Sequence, residues 1–459
     1  MTVIAKQDVM ARRQAMFRGP WVDREPSCRV LEELASPFLG IATDIVELTY
    51  DADDVRSFYV GAGASDTNET LGHPANSANG GGSFDRLQAR ASAIGETVER
   101  CSAAYLPTER LVEATFEQLT MPAVDPTDMA LFSAEQYVDS AFQFTPFARN
   151  TRTRWVDGVD LIRATPALVP AQVVFLNSRR SHGEPALTYS TSNGLACGPN
   201  RREAIVSSLL ELVERDALMV TWHAGLSMPL IDISADPELD RLCRRHFTPT
   251  GISYAAVDLT EHLGVPTALG IVRNLYSDWG ALALGAAARP TLAEAAIEAL
   301  LEAFQTRTWC KAQQRTSERI TDDVPYGTAI NGFDDHVRYY GERDRAALAS
   351  FLWASEDWVD PRTAPVLPAS TPAELIEAVL GRLEAQGVDV YAVDVTSPDI
   401  VEAGLSVVKT YSPQLQPLDA GWNRRFLGGR RIYERPLELG YTDRVLGPDD
   451  LTPFPHPFP

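Results

Sequence analysis

Cysteine is the first shortage. The chain has five, Cys28, Cys101, Cys197, Cys243 and Cys310, and no C-x-x-C pair joins any of them. That argues against a zinc site or a disulfide framework and for reduced thiols in a cytoplasmic protein. Long apolar runs are missing as well: none approaches the roughly 20 residues that span a bilayer. The N-terminal MTVIAKQDVMARRQAMF lacks the apolar core and cleavage site of a signal peptide, so neither export nor a membrane partner is expected. Positive charge is short too, with 41 Lys and Arg against 62 Asp and Glu, a formal net charge of −21. A protein that tracks nucleic-acid phosphates needs a basic face, and Arg424-Arg425 and Arg430-Arg431 are only short surface pairs. No nucleic-acid partner is expected. Nor is there any G-x-x-x-x-G-K-[ST], so a bound nucleotide would not sit on a P-loop.

What is present is an ordinary globular composition, 45% hydrophobic and 22% charged over 459 residues, enough for one large domain or two to three smaller units. Residues 1–60 carry no recognisable chemistry. Residues 61–83 read as a Gly/Asn/Ser/Thr-rich loop, within which Gly61-Ala62-Gly63 lacks the third glycine of a dinucleotide turn. Gly80-Gly81-Gly82-Ser83, just before a helical pattern, suits either an anion site or a flexible loop. Strands are expected at PALVPAQVVFL and ALTYS, and TSNGLACGPN reads as a turn. Helices are expected over about 84–105, 200–223 and 290–309. Residues 254–272 and 391–411 echo one another, each a strand, a Val-Asp-x-Thr turn and a returning strand. Strand pairs next to helices predict an α+β fold built from related units. Residues 317–370, charged and Pro-rich, read as a surface insertion.

The chemistry lies in a repeat. SAIGETVER (92–100) and SSLLELVER (207–215) both read S-x-x-x-E-x-x-E-R. At about 100° per helical residue, offsets 0, 4 and 7 fall on one stripe. Ser92, Glu96 and Glu99 therefore line one face, as do Ser207, Glu211 and Glu214, with Glu203 one turn earlier. The third helix repeats the offsets as Glu298, Glu302 and Gln305, with Arg307 close behind. A single such stripe is usually a solvated face. Here Ile94, Val98, Leu209, Leu210 and Val213 crowd the acids, and carboxylates near a core need compensating cations. Arg100 and Arg215 would neutralise only half of the four paired glutamates. Oxygen ligands without His or Cys favour a hard ion such as Mg²⁺, and the lack of Glu-x-x-His argues against a di-iron bundle. Mg²⁺ on carboxylates beside arginines is triphosphate chemistry. The residues thus predict a Mg²⁺–nucleotide site built from helix faces.

GGGSFDRLQARASAIGETVER, TSNGLACGPNRREAIVSSLLELVERDA, AAIEALLEAFQTR and GLSVVKTYSPQLQPL…RRFLGGRR together resemble the YcaO family, in order and spacing, from about residue 76 to the end. The resemblance implies an α+β YcaO fold with ferredoxin-like βαβ units, ATP and Mg²⁺ as cofactors, and activation of peptide-backbone amides. By position, Glu96, Glu99, Glu211 and Glu214 would hold Mg²⁺. Ser92, Arg100, Asn193, Glu203, Arg215, Glu302, Gln305 and Arg307 would complete the nucleotide pocket. The family's Gly-Lys-Gly ahead of the first helix is Gly80-Gly81-Gly82 here, so a phosphate contact is missing or comes from Arg86 or Arg90. Ser412-Pro413-Gln414-Leu415 stands where relatives show Pro-Gly-Leu.

The chain closes on LTPFPHPFP. Alternating prolines block helix and favour an extended segment, which read alone would be a loose tail. In azoline-forming YcaO proteins a P-x-P-x-P end inserts towards the active site, which implies catalytic roles for Pro455, Pro457 and Pro459. His456 would be either a proton carrier or without chemical role. The organisation expected is an N-terminal segment (1–75), a YcaO domain (76–440) and this tail (441–459). The implied activity is ATP-dependent cyclodehydration of Cys, Ser or Thr in a ribosomally made precursor peptide to thiazoline or oxazoline rings, as in bacteriocin and related natural-product biosynthesis. Thioamide or amidine formation, or a non-catalytic peptide-binding scaffold, are the competing readings. The implied partners are the precursor peptide, a separate ThiF-like leader-binding protein (residues 1–75 being too short for that domain), a flavin-dependent azoline dehydrogenase, and a second copy in a homodimer.

Overall fold

The computed structural model describes residues 12, 28–71, 75, 78–177 and 180–458. Its strands in chain order are β1 (Ala42–Glu47), β2 (Phe58–Ala64), β3 (Ala78–Ser83), β4 (Leu111–Ala114), β5 (Thr153–Asp160), β6 (Thr165–Pro170), β7 (Leu195–Gly198), β8 (Leu230–Ile231), β9 (Ser253–Asp258), β10 (Thr267–Arg273), β11 (Leu282–Ala288), β12 (Trp358–Val359), β13 (Tyr391–Asp394) and β14 (Ser406–Tyr411). The helices used below are α1 (Arg86–Ala104), α2 (Arg201–His223), α3 (Leu292–Thr316), α4 (Phe333–Tyr339) and α5 (Pro372–Ala385). The fold is α+β, as expected. No helix among the described residues is long and apolar enough to cross a membrane.

The chain divides into two compact units. Unit one takes the described residues of Met1–Leu48, Phe58–Leu212 and Pro368–Leu415; unit two takes Thr49–Ser57, Val213–Leu367 and Gln416–Pro459. In unit one, β1–β2–β3 form an antiparallel sheet under α1, and a second sheet runs β4–β5–β13–β14–β7 with β6 on β5. Helix α5 buries Ile376, Val379, Leu380 and Leu383, the 3.6-residue stripe of a one-sided helix. In unit two the sheet order is β11–β10–β9–β8–β12, antiparallel except for β12 on β8. Its core gathers Trp222, Leu269, Leu284, Tyr340, Leu352 and Phe458.

The two echoed segments are indeed matching hairpins, β9–β10 in one unit and β13–β14 in the other. Each turn is closed by its aspartate: Asp258 Oδ1 accepts from Thr260 N at 2.8 Å, and Asp394 Oδ1 from Thr396 N at 2.9 Å. Such side-chain turns are what Asp is suited to.

Four expectations fail, the simplest being TSNGLACGPN, which contains strand β7 and not just a turn. Residues 61–83 are not loop throughout, because the second half of β2 and all of β3 fall among them. The glycines are there for contact: a Cβ on Gly81 would sit 2.4 Å from Ala89 O and Ala93 N of α1. Gly80–Ser83 is therefore strand rather than an anion loop, and α1 is capped by the Asp85 side chain, which accepts from Gln88 N. ALTYS is not a strand, and PALVPAQVVFL breaks after Pro170 into a short helix, Ala171–Val174. Residues 317–370 are not merely surface, since Ile330, His336, Val337, Tyr339, Tyr340, Arg345 and Leu352 are buried.

Candidate functional site

The first motif is held in place by its own strand. Gly80 N donates to Glu96 Oε2 at 2.7 Å, and Arg100 Nη2 donates to Glu96 Oε1 at 3.0 Å. One turn on, Arg100 Nη1 donates to Glu99 Oε1 at 2.5 Å, and the Cys197 N–H also donates to Glu99. Burial nonetheless pushes the Glu99 carboxyl up to about 8; Arg100 pulls it down, and the charges of Glu211 and Glu96 push it further up. Burial opposes the charge of Arg100, yet Glu99, Glu96 and Glu211 outweigh it and hold the guanidinium above its ordinary value. Burial is thus the main reason that Glu99 resists ionisation, with two neighbouring carboxylates adding to it. Ser92 lies half-buried one turn before Glu96, its hydroxyl accepting from Gln88 Nε2 at 3.4 Å.

Sequence reasoning missed Lys409. It is fully buried on β14, and its Nζ donates to Thr191 O at 2.7 Å and to Asn193 O at 2.6 Å. Burial lowers its pKa; Glu211 raises it, Arg100 lowers it and Glu99 raises it. Its ammonium thus pins the turn that carries Asn193, whose own Nδ2 donates to Thr191 Oγ1 at 3.1 Å. The one available signal was a lysine inside the apolar strand SVVKTY. Glu203 stands apart from this set. It is exposed in the first turn of α2, exchanging hydrogen bonds with Asn200, the residue that caps the helix.

Unit two repeats the arrangement of Glu96 on α3. A Cβ on Gly285 would meet Ala303 N at 2.3 Å and Ala299 O at 2.4 Å, and Ala286 N donates to Glu302 Oε2 at 2.8 Å. Both glutamates lie 16 residues after the strand amide that binds them. Gln305, one turn on from Glu302, has a buried Nε2 without a hydrogen-bond partner among the described residues. Arg289 was also missed. It pairs with Glu298; burial opposes its charge, but Glu298, Glu214 and Glu302 hold its pKa up. Glu214 is buried beside Arg215, whose Nε lies 3.4 Å from Glu214 Oε1. Arg307, expected in the nucleotide pocket, is placed elsewhere. It is fully buried, giving its N–H groups to Gly280 O, Trp279 O, Asp53 and Asp54. With Lys311 and Arg315 it neutralises Asp51, Asp53 and Asp54, whose carboxylates converge. Physically this is a clasp holding residues 49–57 on α3, not a phosphate site.

The tail is docked rather than loose. Pro455, His456, Pro457 and Phe458 are buried; Pro459 lies outside the described residues. Thr452 N donates to His223 O and Trp222 Nε1 to Phe454 O, while Tyr340 Oη donates to Pro455 O at 2.6 Å. The Phe458 ring then lies against Arg215, guanidinium carbon to centroid 4.5 Å. His456 is no proton carrier here. Its Nε2 bonds Asp419 O at 2.8 Å, its Nδ1 accepts from Phe458 N, and burial holds its pKa well below the ordinary value.

Within each unit the donor types suit Mg²⁺ and a phosphate chain: Glu96, Glu99 and Glu211 with Arg100 and Lys409 in unit one, and Glu214, Glu302 and Gln305 with Arg215 and Arg289 in unit two. Comparison with known proteins identifies the family. Residues 80–416 match the family model described as YcaO cyclodehydratase, ATP- and Mg²⁺-binding. A heterocyclase solved in complex with substrate and cofactor superposes with a TM-score of 0.76 at 23% identity, covering 94% of this chain and 57% of that one. YcaO from Methanopyrus kandleri, bound with AMPPCP and Mg²⁺, gives 0.59 at 19% identity, covering 85% of this chain and 88% of that one. An uncharacterized protein in the tfuA 3′ region of Rhizobium leguminosarum bv. trifolii is 27% identical over 356 residues, 73% of this chain and 76% of the relative. The chain thus spans little more than half the length of the heterocyclase.

Proposed function

Because the chain belongs to the YcaO cyclodehydratase family, whose cofactors are ATP and Mg²⁺, we propose that it closes azoline rings on a ribosomally made precursor peptide. The observation that carries this reading is the docked tail, with Phe458 against the arginine of the second acid motif. A proline-alternating end seated on a motif residue fits ring formation better than thioamide or amidine formation. The intact motif glutamates count against a scaffold without catalysis.

In this reading Glu96, Glu99, Glu211 and Glu214 hold Mg²⁺, while Arg100, Lys409, Arg215 and Arg289 compensate the phosphate oxygens. Lys409 then stands in for the lysine missing from the glycine run. Glu302 and Gln305 complete the pocket, Gln305 through its unsatisfied amide. A Cys, Ser or Thr side chain of the peptide adds to the preceding carbonyl carbon, giving a tetrahedral centre that keeps the former amide oxygen. ATP, when bound, would supply the phosphoryl group that makes that oxygen a leaving group, with ADP released and the nucleophile and amide protons passing to solvent. Phosphate departs as the C=N bond of the ring forms, and the peptide loses the elements of one water. The chain's own work is positioning and charge compensation, so no protein nucleophile is required. Pro455 and Pro457, fixed by the tail contacts, border the reacting amide. The family resemblance extends the reading to partners: a leader-binding protein of the ThiF type that delivers the peptide, and a flavin-dependent dehydrogenase acting on the product.

The test is calorimetric titration of Mg²⁺–ATP into the full chain beside Glu99→Ala and Glu214→Ala, followed by mass analysis of a precursor peptide. Binding by the wild type alone, then loss of one water per ring, is the expected result. Binding without any mass change, even with the leader-binding partner present, would defeat the ring-forming reading.

A further inference from the structure

The segment read from sequence as a surface insertion holds the tail through a pair of histidines. His336, on α4, donates from Nδ1 to His456 O at 2.8 Å. The two rings stack with centroids 3.9 Å apart and planes 18° from parallel. Both side chains are almost fully buried. On the other face, His456 Nε2 donates to Asp419 O at 2.8 Å, and Nδ1 accepts from Phe458 N at 3.4 Å. These bonds specify the tautomers: the proton is on Nδ1 of His336 and on Nε2 of His456. Four residues after His336, Tyr340 Oη donates to Pro455 O. Pro455, His456 and Phe458 are therefore each bonded to a group outside the tail or within its own turn. The result is that the Phe458 ring comes to rest on Arg215.

We propose that His336 and His456 form a latch that positions the end of the tail on Arg215, making both of them positioning residues for the reaction. Neither touches the motif carboxylates; they act through Phe458 and the flanking prolines. Alternating prolines supply a stiff strut but cannot by themselves choose where it points, because each removes a backbone donor. The histidine pair supplies the direction. The catalytic half of this inference rests on the ring-forming reading above, whereas the latch itself does not.

The test uses the full chain with two independent readouts. Amide exchange over residues 452–458 is compared in wild type, His336→Phe, His456→Leu and His456→Gln. His336→Phe keeps an aromatic ring to stack but loses the Nδ1 donor; Gln can still present a donor to Asp419 O. Faster tail exchange in His336→Phe and His456→Leu, with protection restored in His456→Gln, is expected while core exchange stays unchanged. Unchanged tail exchange in both losing variants would overturn the latch whether or not the protein makes rings. On an unmodified precursor peptide, kcat should fall roughly ten- to hundredfold in the losing variants, with KM for ATP kept. Combining His336→Phe with Phe458→Ala should cost no more than the worse single change. Additive losses would mean that His336 acts through something other than the tail.

Discussion

Glu99 occupies an expensive position in unit one. Burial and two neighbouring carboxylates raise its pKa to about 8, so in metal-free protein near neutral pH it is mostly protonated. Glu99→Gln replaces a protonated acid by a neutral group of the same shape. The metal-free thermal midpoint should therefore stay the same or rise, while Mg²⁺–ATP affinity falls at least about tenfold, the cost of one charged contact. Scanning calorimetry and titration on the same preparation would check both halves; a variant that binds as the wild type does removes Glu99 from the metal set. Lys311 makes the opposite case. Its ammonium is fully buried among Asp51, Asp53 and Asp54. Lys311→Met leaves those carboxylates facing only Arg307 and Arg315, and denaturant unfolding should show a loss of about 3 kcal/mol, typical of breaking a buried pair from one side.

At the scale of elements, the two acid-bearing helices reach their sheets only because a strand glycine lets them. Gly285→Ala would place a methyl 2.3 Å from Ala303 N. Helix α3 must then move off β11, stretching the bond from Ala286 N to Glu302. About 1–3 kcal/mol of stability should be lost, as for an overpacked core, and Mg²⁺–ATP binding should weaken with it. Gly95→Ala is the control: nothing lies within 4 Å of its Cβ, and in mid-helix α1 the exchange should stabilise by about 0.5–1 kcal/mol. Urea unfolding of both variants separates contact from propensity. The helices were legible in the sequence because acids at offsets of four and seven leave a pattern that packing does not alter, and α1, α2 and α3 start within two residues of the expected positions. Strand β3 was not legible. Ala-Asn-Gly-Gly-Gly-Ser has no alternation of apolar and polar side chains, and its purpose, contact with α1, is tertiary. Arg307 was misplaced for a related reason. Spacing put it beside Gln305, but nothing local announces that Asp53 and Asp54, about 250 residues earlier, take its donors. Lys409 and the histidine latch likewise depend on partners distant in the chain.

For the whole molecule, stability should bend in opposite directions at the two ends of the pH range. His456, His336 and His262 are buried and held below their ordinary values mainly by burial, His336 to about 4. A depressed histidine stabilises above its unfolded pKa, near 6.5, and that contribution is lost as pH falls towards the folded value. Each histidine costs up to about 1.4 kcal/mol per unit below 6.5, so three make acid unfolding steep between roughly pH 6.5 and 5. Glu99 has the reverse sign. Its pKa is raised from 4.5 to about 8, so its contribution is full below 4.5 and is lost as pH rises through about 8. The loss accrues between those two values and is complete above about pH 8, so metal-free protein should lose thermal stability again between about pH 6.5, where the histidines cease to titrate, and about 8. The Mg²⁺ of bound Mg²⁺–ATP, coordinated by Glu99, would offset the burial that keeps the proton on this carboxyl. Saturating Mg²⁺–ATP should consequently flatten the alkaline limb and leave the acid limb unchanged. Binding at pH 7 should also release protons, visible as a dependence of the measured heat on the ionisation enthalpy of the buffer. Scanning calorimetry from pH 5 to 9, with and without Mg²⁺–ATP, reads all of this in one experiment. An alkaline limb that persists under saturating ligand would place the nucleotide away from Glu99.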